Sequence, residues 1–508
     1  MDSFYTPELS TVLLLDYFFC FAIILTVGFG ALSPGEDTLL FYLRRYIMWK
    51  DIKKKESFGT LAMIVALAWP TIVEQVMQTA VQYIDTAMVG SLGTEATAAV
   101  GATSTVGWLV MGIFGALGVG FLALIAKACG AGNQHQSKGI AAQAVLVTLI
   151  AGVIVNIVCV AISPVIPVWM QVDPAIQKIA GTYFFILYLP MLPRAASMVF
   201  GTVLRAAGDT KTPMKVGVIV NIINVVLNFL FIYETRTISV FGLEFTMIGA
   251  GWGVIGAAVA SAIAFAWGGI HITIVMWRHP MVSPKGCSFK PDKEILGPAI
   301  RISTPNLFQR FGTSLGFVVF AAMINSLGDT STAAHTIANT VESAFYIPGY
   351  GMQTAAATLT GNAYGAGDRK KMKSLSAMFI PIEIGLMVIS GTALFIAAPA
   401  LMGIFSKSPE VIELGSTVLR MVAVSEPFYG FSIIVEGMMM GVGRTKAPFV
   451  YNIIGMWAVR ILGTFIFTQL LSFGLIAAWA CMIAHNMLLF VLYLITYVKG
   501  TWNPLNTR

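Results

Sequence analysis

Apolar stretches of about 20 residues recur along the whole chain, separated by short polar segments. A stretch of that length, wound as an α-helix, crosses a hydrocarbon core of roughly 30 Å. The pattern predicts thirteen membrane helices, at about 12–32, 60–86, 94–124, 140–163, 177–202, 216–233, 251–277, 296–325, 332–360, 375–400, 411–437, 449–470 and 474–498. We therefore expect an all-α polytopic membrane protein, because a transmembrane barrel would show short alternating segments instead.

Lysine and arginine residues are concentrated in every second loop between these helices. Apart from five arginines well inside the predicted spans, 23 of these residues lie on one side of the predicted topology, and only Lys178, Arg236 and Lys407 lie on the other. Positively charged loops remain in the cytoplasm. We therefore predict a multi-pass protein of a prokaryotic cell membrane, with its N-terminus outside and its C-terminus in the cytoplasm. Topology thus accounts for the net charge of +7, and nucleic acid is not an expected partner.

The composition fits this class, with 57% hydrophobic and only 11% charged residues. A soluble chain of this length needs far more charge to cover its surface. The five cysteines show neither a disulfide framework nor a metal-ligand spacing, so no metal site and no cofactor are expected. The segment 12–32 lacks the basic start and the cleavage pattern of a signal peptide, and we expect it to stay as an additional helix.

The sequence repeats itself at a constant offset over most of its length. GSLGTEATAAVGAT (90–103) matches NSLGDTSTAAHTIA (325–338), KACGAG (127–132) matches NAYGAG (362–367), and RAAGDTKTP (205–213) matches MGVGRTKAP (440–448). Near the end of each unit the offset becomes smaller, because GVIGAAVASAIA starts at 253 and GLIAAWACMIAH at 474. The second unit has therefore lost part of an outer loop.

Each unit contains six predicted helices, and because six is an even number both units enter the membrane from the same side. The repeats are then parallel and related by a pseudo-two-fold axis along the membrane normal. In transporters, this arrangement places the substrate path between the halves near the midplane. We expect an additional helix with a basic linker at 1–59, a first lobe at 60–290 and a second lobe with a short tail at 291–508.

The motifs YIDTAMVGSLG (83–93), LRAAGDTKTP (204–213), NIINVVLNFLFI (221–232), GVIGAAVAS (253–261) and GNAYGAGD (361–368) fall in order along the chain. In these motifs the chain resembles the multidrug and toxic compound extrusion (MATE) family over about 60–500. The resemblance implies two six-helix lobes in a V shape. It also implies efflux of amphipathic, often cationic compounds against inward flow of H⁺ or Na⁺. The helix at 12–32 is additional to the twelve that are usual in the family.

The first helix of the first unit carries a polar stripe, formed by Glu74, Gln78, Gln82 and Asp85. At 100° per residue these positions fall within about 80° of one another. The stripe largely fades in the second unit, where the matching residues are Gln309, Thr313, Phe317 and Phe320. A charged carboxylate within a membrane helix costs about 2.5–3.5 kcal/mol on insertion scales. The stripe therefore predicts a polar cavity in which a carboxylate takes up H⁺ or Na⁺.

The alternative for this stripe is structural. Asp85 would then cap the outer end of its helix, and Glu74 would pair with a buried arginine such as Arg194. Asn224 and Asn228 share one face of the fifth helix, where they either bond to a neighbouring helix or belong to an ion site.

The family resemblance implies that Asp85, Asn224, the residue at 228 and the hydroxyl of Ser261 line the ion site. Many members have Asp at the position of Asn228, and its replacement leaves one fewer charge for binding Na⁺. The resemblance also implies that Pro70, which precedes Asp85 on the same helix, is a bending proline. A proline removes one helix hydrogen bond and permits a kink. Pro305 occupies the same register in the second unit, so a structural role remains the alternative.

The predicted spans of the second unit contain four glutamates and four arginines: Glu342, Glu383, Glu426 and Glu436, and Arg301, Arg310, Arg420 and Arg460. Glu342 and Glu426 are candidate carboxylates of a substrate cavity, to which Gln78 and Gln82 would also contribute. The alternative is that the two glutamates form buried ion pairs with the arginines.

These features favour an antiporter, coupled to H⁺ or Na⁺, that exports amphipathic and cationic organic compounds from a monomer in the lipid bilayer. A flippase for a lipid-linked precursor is the alternative, and it would need a strongly cationic central cavity for a pyrophosphate. An enzyme is not expected, because the sequence contains no Walker loop, no HExxH motif and no GxSxG motif.

Overall fold

The computed structural model describes residues 54–240 and 243–507. The predicted helix at 12–32 lies outside the described residues. The first half contains α1 (Lys54–Gly90), α2 (Thr94–Gly130), α3 (Gln134–Ile162), the short α4 (Ile166–Trp169), α5 (Pro174–Tyr188), α6 (Met191–Ala206), α7 (Lys211–Ile232), β1 (Glu234–Val240), β2 (Leu243–Ala250) and α8 (Gly253–Arg278).

The second half contains α9 (Lys293–Asn325), α10 (Asp329–Gly365), α11 (Arg369–Phe405), α12 (Pro409–Gly441), α13 (Lys446–Leu470) and α14 (Leu475–Val498). A short 3₁₀ helix at Pro504–Thr507 follows α14. Helix α13 is irregular, because its segments Gly455–Ile461 and Phe465–Leu470 are π-helical.

The twelve predicted spans after residue 59 all correspond to helical segments, which confirms the polytopic all-α class. Ten described helices are long and apolar enough to cross a membrane, and the bent pair of α5 and α6 makes an eleventh span. Helix α10 supplies the twelfth segment with 37 residues, but it is more polar than the others.

The fourth span of the first half is broken, although the sequence predicts one helix at 177–202. Helices α5 and α6 meet at an angle of 50° around Leu189 and Pro190. Proline cannot donate the hydrogen bond that would continue the helix. The amide of Asn156 on α3 donates to the carbonyls of Tyr188 and Leu189 at this break, at 2.9 Å each. An unbroken helix is therefore the wrong prediction at this point.

A β-hairpin occupies the loop in which the two units differ in length. Strands β1 and β2 pair in antiparallel register, with Thr237 opposite Thr246. The corresponding connection between α13 and α14 spans only residues 471–474. The sequence locates this length difference, but it does not predict the strands.

The two halves make reciprocal contacts where α2 and α10 end, on the side that carries most lysines and arginines, which we call the basic side. A Cβ atom on Gly130 would lie 2.7 Å from the Cα of Asn362. A Cβ atom on Gly365 would lie 2.8 Å from the Cα of Lys127. The two contacts are related by the offset of the sequence repeat, as a pseudo-two-fold axis requires. The repeated Gly in KACGAG and NAYGAG thus permits close contact between the central helices.

Exposure of the two central helices changes along their length. Toward the basic side α2 buries Phe121 and Ile125, and α10 buries Leu359 and Ala363. Toward the opposite side, α2 begins with mostly exposed residues, and α10 begins with exposed and half-buried ones. The space between the halves is therefore closed on the basic side and open on the other. We call this space the cleft.

Candidate functional site

Asp85 lies in a pocket of amide and hydroxyl groups within the first half. The amide nitrogen of Asn228 donates to Asp85 Oδ1 at 2.6 Å. In the amide orientation that satisfies both ends of Asn224, its nitrogen donates to Asp85 Oδ1 at 2.8 Å, and its oxygen accepts from Ser261 Oγ at 3.0 Å. These four side chains come from three helices. The structure thus brings together the residues that the family resemblance groups into an ion site.

Three helices position this pocket toward the side opposite the basic one. Asp85 lies five residues before the end of α1, and Asn228 lies four before the end of α7. At 1.5 Å per residue these positions are about 6–8 Å inside the helix ends. A buried apolar cluster that includes Met88, Val89 and Val254 packs at the same ends. The pocket is therefore not a helix cap exposed to water.

The pocket offers oxygen atoms and a single negative charge. Asn224, Asn228 and Ser261 are all buried, and Oδ1 of Asn228 has no hydrogen-bond partner in the described structure. No described lysine or arginine forms an ion pair with Asp85. No group of three His, Cys, Asp or Glu side chains that could hold a metal ion occurs among the described residues. The chemistry available is therefore protonation of one carboxylate, or binding of a monovalent cation by carboxylate, amide and hydroxyl oxygens.

Glu74 does not join this pocket. Its carboxylate forms an ion pair with Arg205, whose Nη1 donates to both oxygens at 2.9 Å. The sequence alternative proposed Arg194 as the partner, and that partner is wrong. Arg205 is counted with the loop charges in the sequence, but it lies in the last turn of α6, from which it reaches α1. Arg194 stacks instead on Phe265, with its guanidinium carbon 4.4 Å from the ring centre.

Pro70 lies inside the continuous helix α1, next to a contact between the halves. Thr71 Oγ1 donates to the carbonyl of Gly351 on α10 at 2.8 Å. A Cβ atom on Gly351 would lie 2.7 Å from the backbone of Ile72. The proline therefore adjoins the crossing of α1 and α10, where a bend would change how the halves meet. Its role as a hinge stays a prediction.

Gln78 and Gln82, predicted to line a substrate cavity, lie on an accessible face of α1, and both are exposed. Tyr83 is exposed as well, and it reaches the second half, where its hydroxyl donates to the carbonyl of Thr340 at 3.0 Å. This part of α1 therefore lies beside α10.

Glu342 and Glu426 do not line an accessible cavity wall in this conformation. Glu342 is 6% exposed and Glu426 is 2% exposed, and both are packed inside the second half. Neither forms an ion pair among the described residues, so the ion-pair alternative is not observed either. The sequence shows these glutamates within spans, but not which way each helix face points.

The structure adds accessible polar residues of the cleft that sequence analysis did not select. Arg310 on α9 is exposed, and Glu436 and Tyr429 on α12 are partly exposed. Most other residues of α12 around these two are buried. Tyr429 and Glu436 are seven residues apart, which places them on one face of the helix. That spacing is the signal in the sequence that could have identified them.

Two parallel six-helix halves around a central cleft, with a half-buried carboxylate in the first half, define a multi-pass membrane protein with the architecture of an alternating-access transporter. The MatE family model matches the chain twice, over residues 70–230 and 305–466. The chain therefore belongs to the MatE family, which confirms the resemblance noted in the sequence.

Curated relatives support this assignment. The chain is 27% identical over 463 residues to the probable multidrug resistance protein NorM of Thermotoga maritima, covering 90% of this chain and 97% of the relative. It is 24% identical over 408 residues to the multidrug resistance protein MdtK of Yersinia pseudotuberculosis, covering 78% and 85%.

Solved structures share the fold. An outward-facing multidrug resistance MATE family transporter of the MOP superfamily superimposes with a TM-score of 0.80 at 22% identity, covering 88% of this chain and 96% of the other. A MOP superfamily transporter from Pyrococcus furiosus, for which a reverse polarity of the binding pocket has been noted, also gives a TM-score of 0.80, at 23% identity and with coverage of 87% and 96%.

Proposed function

We propose that the chain exports amphipathic organic compounds in exchange for inward-moving H⁺ or Na⁺, and that Asp85 carries the coupling ion. The observation that carries this proposal is the 2.6 Å hydrogen bond from Asn228 to a carboxylate that has no cationic partner in the described structure. The family and its relatives, which are named for multidrug resistance, support export of small molecules rather than an enzymatic reaction.

The coupling follows from the charge of Asp85. Without an ion, the carboxylate attracts the amide donors of Asn224 and Asn228, which draws α1 toward α7. A bound proton or sodium ion removes the net charge and weakens that attraction. The packing of α1 in the first half, and its contact with α10, then differ between the loaded and empty states. A difference in stability between two states is what allows an ion gradient to drive a conformational change.

The test uses proteoliposomes in which a pH gradient and a Na⁺ gradient are imposed separately. Asp85→Asn keeps the size and the hydrogen bonding of the side chain but cannot gain or lose a proton, and it binds Na⁺ less strongly. We expect gradient-driven efflux to be lost while the protein folds and still binds drug.

The matched control is Asp173→Asn. The Asp173 side chain accepts a hydrogen bond from Ala175 N at the start of α5, and asparagine is about as good a cap as aspartate. This variant should transport as the wild type does. Wild-type efflux from Asp85→Asn would refute the assignment of the ion site, and the gradient that drives wild-type efflux identifies the ion.

The orientation in the membrane is a further part of this proposal. The charge distribution places the loop before α11 in the cytoplasm and the loop between α11 and α12 outside. A reporter fused after Lys373 should therefore be cytoplasmic, and one fused within 404–409 should be external. Detection of both on the same side would contradict the topology.

A flippase for a lipid-linked precursor is the second candidate, because Arg310 gives the cleft an accessible positive charge. A pyrophosphate carries several negative charges and would need several cations around it. The cleft offers Arg310, and the negative charge of Glu436, in the same half of the protein, partly offsets that cation. The cleft is thus not the strongly cationic cavity that a flippase requires. Flipping of a labelled lipid-linked pyrophosphate by the same proteoliposomes, without drug efflux, would reverse this choice.

A further inference from the structure

Arg310 occupies an unusual position on α9. The apolar residues Phe308, Phe311, Leu315 and Val318 of this helix are 48–59% exposed and form one stripe along it, as expected for the lipid-facing side. At 100° per residue, Arg310 points about 120° away from the centre of that stripe. Neighbours on its side of the helix, such as Asn306, are buried. An exposed side chain on the inward side of a membrane helix must face an internal space, which here is the cleft.

The guanidinium lies at the contact between the two halves. Arg310 stands about halfway along α9, which extends from Lys293 to Asn325, so it is near the middle of the membrane. A Cβ atom on Gly115 of α2 would lie 3.3 Å from the guanidinium carbon of Arg310. A Cβ atom on Gly112 would lie 3.7 Å from its Cβ. The absence of side chains at these two glycines leaves room for the guanidinium beside α2.

Most of the donors of this guanidinium are unused by protein. Its Nε donates to Asn306 Oδ1 at 3.0 Å. Neither terminal nitrogen has a hydrogen bond or an ion pair to a described residue. Glu436 is near enough to Arg310 for their charges to attract each other. Its Oε1, however, accepts a hydrogen bond from Gln309 Nε2 at 2.7 Å and not from Arg310. Two parallel donors are therefore available to an acceptor in the cleft, in the geometry that matches a carboxylate.

Aromatic side chains stand near this cation. Tyr350 lies within electrostatic range of Arg310, and its hydroxyl is 2.9 Å from that of Tyr429. The ring of Tyr346 is roughly perpendicular to both, with centroids 5.8 and 6.1 Å away. These three partly exposed tyrosines supply ring faces and edges, against which a flat aromatic compound can pack.

An unpaired charge near the centre of a membrane is costly, and such residues mark functional sites with a partner. We propose that Arg310 binds the carboxylate, or another planar oxyanion, of an aromatic amphipathic substrate whose ring system packs on Tyr346, Tyr350 and Tyr429. Glu436 then accommodates a positively charged group of the same molecule. This inference rests on the proposed export function, and it assigns recognition of an anionic group to Arg310, a residue that the sequence does not place in the substrate cavity.

The experiment compares two ligands that differ only in the anionic group. One is a fluorescent xanthene dye with a free benzoic acid, and the other is the methyl ester of the same dye. Binding to detergent-solubilised protein is measured by fluorescence polarisation, which requires no gradient. Because a hydrogen bond to a charged group is stronger than one between neutral groups, Arg310→Gln should weaken binding of the acid by roughly tenfold or more and leave that of the ester within about twofold.

The matched control is Arg420→Gln. Arg420 is an exposed arginine of α12 that stacks on Phe395, with its guanidinium carbon 5.7 Å from the ring centre. This variant should bind both dyes as the wild type does. Thermal unfolding of each variant shows whether it has folded.

Equal losses for acid and ester in folded Arg310→Gln would mean that Arg310 only maintains the cleft, and the proposal would be wrong. Unchanged binding of the acid would also overturn it. Failure of the export proposal has a different signature, namely wild-type protein that binds the dyes but moves neither across a proteoliposome membrane.

Discussion

Replacement of Gly365 by alanine tests the close crossing of α10 and α2 at the pseudo-two-fold axis. The new Cβ atom would lie 2.7 Å from the carbonyl carbon and 2.8 Å from the Cα of Lys127. Carbon atoms that are not bonded prefer about 3.5–4.0 Å, so the helices must separate by about 1 Å. The atoms in the way belong to the backbone and cannot rotate aside. Overpacking of this kind costs about 1–3 kcal/mol.

A gain in helix propensity opposes this cost, since alanine is favoured over glycine by up to about 1 kcal/mol within a helix. The matched control is Gly385→Ala on α11, where a Cβ atom would meet nothing within 4 Å. That variant should be unchanged or slightly more stable. The two variants have the same change in chemistry, so the difference between them isolates the helix contact.

The assay is thermal unfolding of purified protein in detergent, together with efflux from proteoliposomes. Gly365→Ala should unfold at a lower temperature than both wild type and Gly385→Ala. Because the contact closes the cleft on the basic side, its efflux should change more than its stability alone explains. If Gly365→Ala and Gly385→Ala unfold alike, the central helices do not cross as closely as the structure shows.

Three further outcomes are expected. Glu74→Gln and Arg205→Gln should each destabilise the protein by about 3 kcal/mol, because each leaves an unpaired charge. The double variant should recover part of that loss. A double variant no more stable than the single ones would mean that the two side chains are not coupled as the structure shows. Asn156→Leu should destabilise the protein by about 1–3 kcal/mol, because it leaves the carbonyls at the break between α5 and α6 without hydrogen bonds. An unchanged unfolding temperature would mean that these hydrogen bonds do not stabilise the break. Deletion of residues 1–32 should leave transport largely intact, because both repeats are complete without them, whereas complete loss in a correctly inserted truncation would place this segment in the transport core.

The number of membrane segments and the two-fold repeat are determined by the sequence alone. Each span must be apolar over the thickness of a bilayer, so its length and its hydrophobicity can be read locally. The repeat is visible because the same close contacts are needed in both copies. Gly130 and Gly365 illustrate this, since both stand where the central helices meet.

The polar positions that occur in one sequence unit and not in the other could also be predicted, although only in part. Asp85 and Asn228 stand out because a polar side chain in a membrane helix needs a partner. Their spacing selects a helix face, and the family resemblance connects them to Asn224 and Ser261. The hydrogen bonds of the pocket confirm that these residues are neighbours, whereas the ion that they bind remains a prediction.

Which polar groups meet was decided by the tertiary structure. Glu74 had several arginines within reach in the sequence, and only the packing of α6 against α1 selected Arg205. Arg310 and Glu342 are both charged residues within predicted spans. In the structure Arg310 is exposed in the cleft, whereas Glu342 is buried. The physical reason is that hydrophobic length is a property of one segment, whereas accessibility and pairing depend on how helices distant in the sequence are rotated against one another.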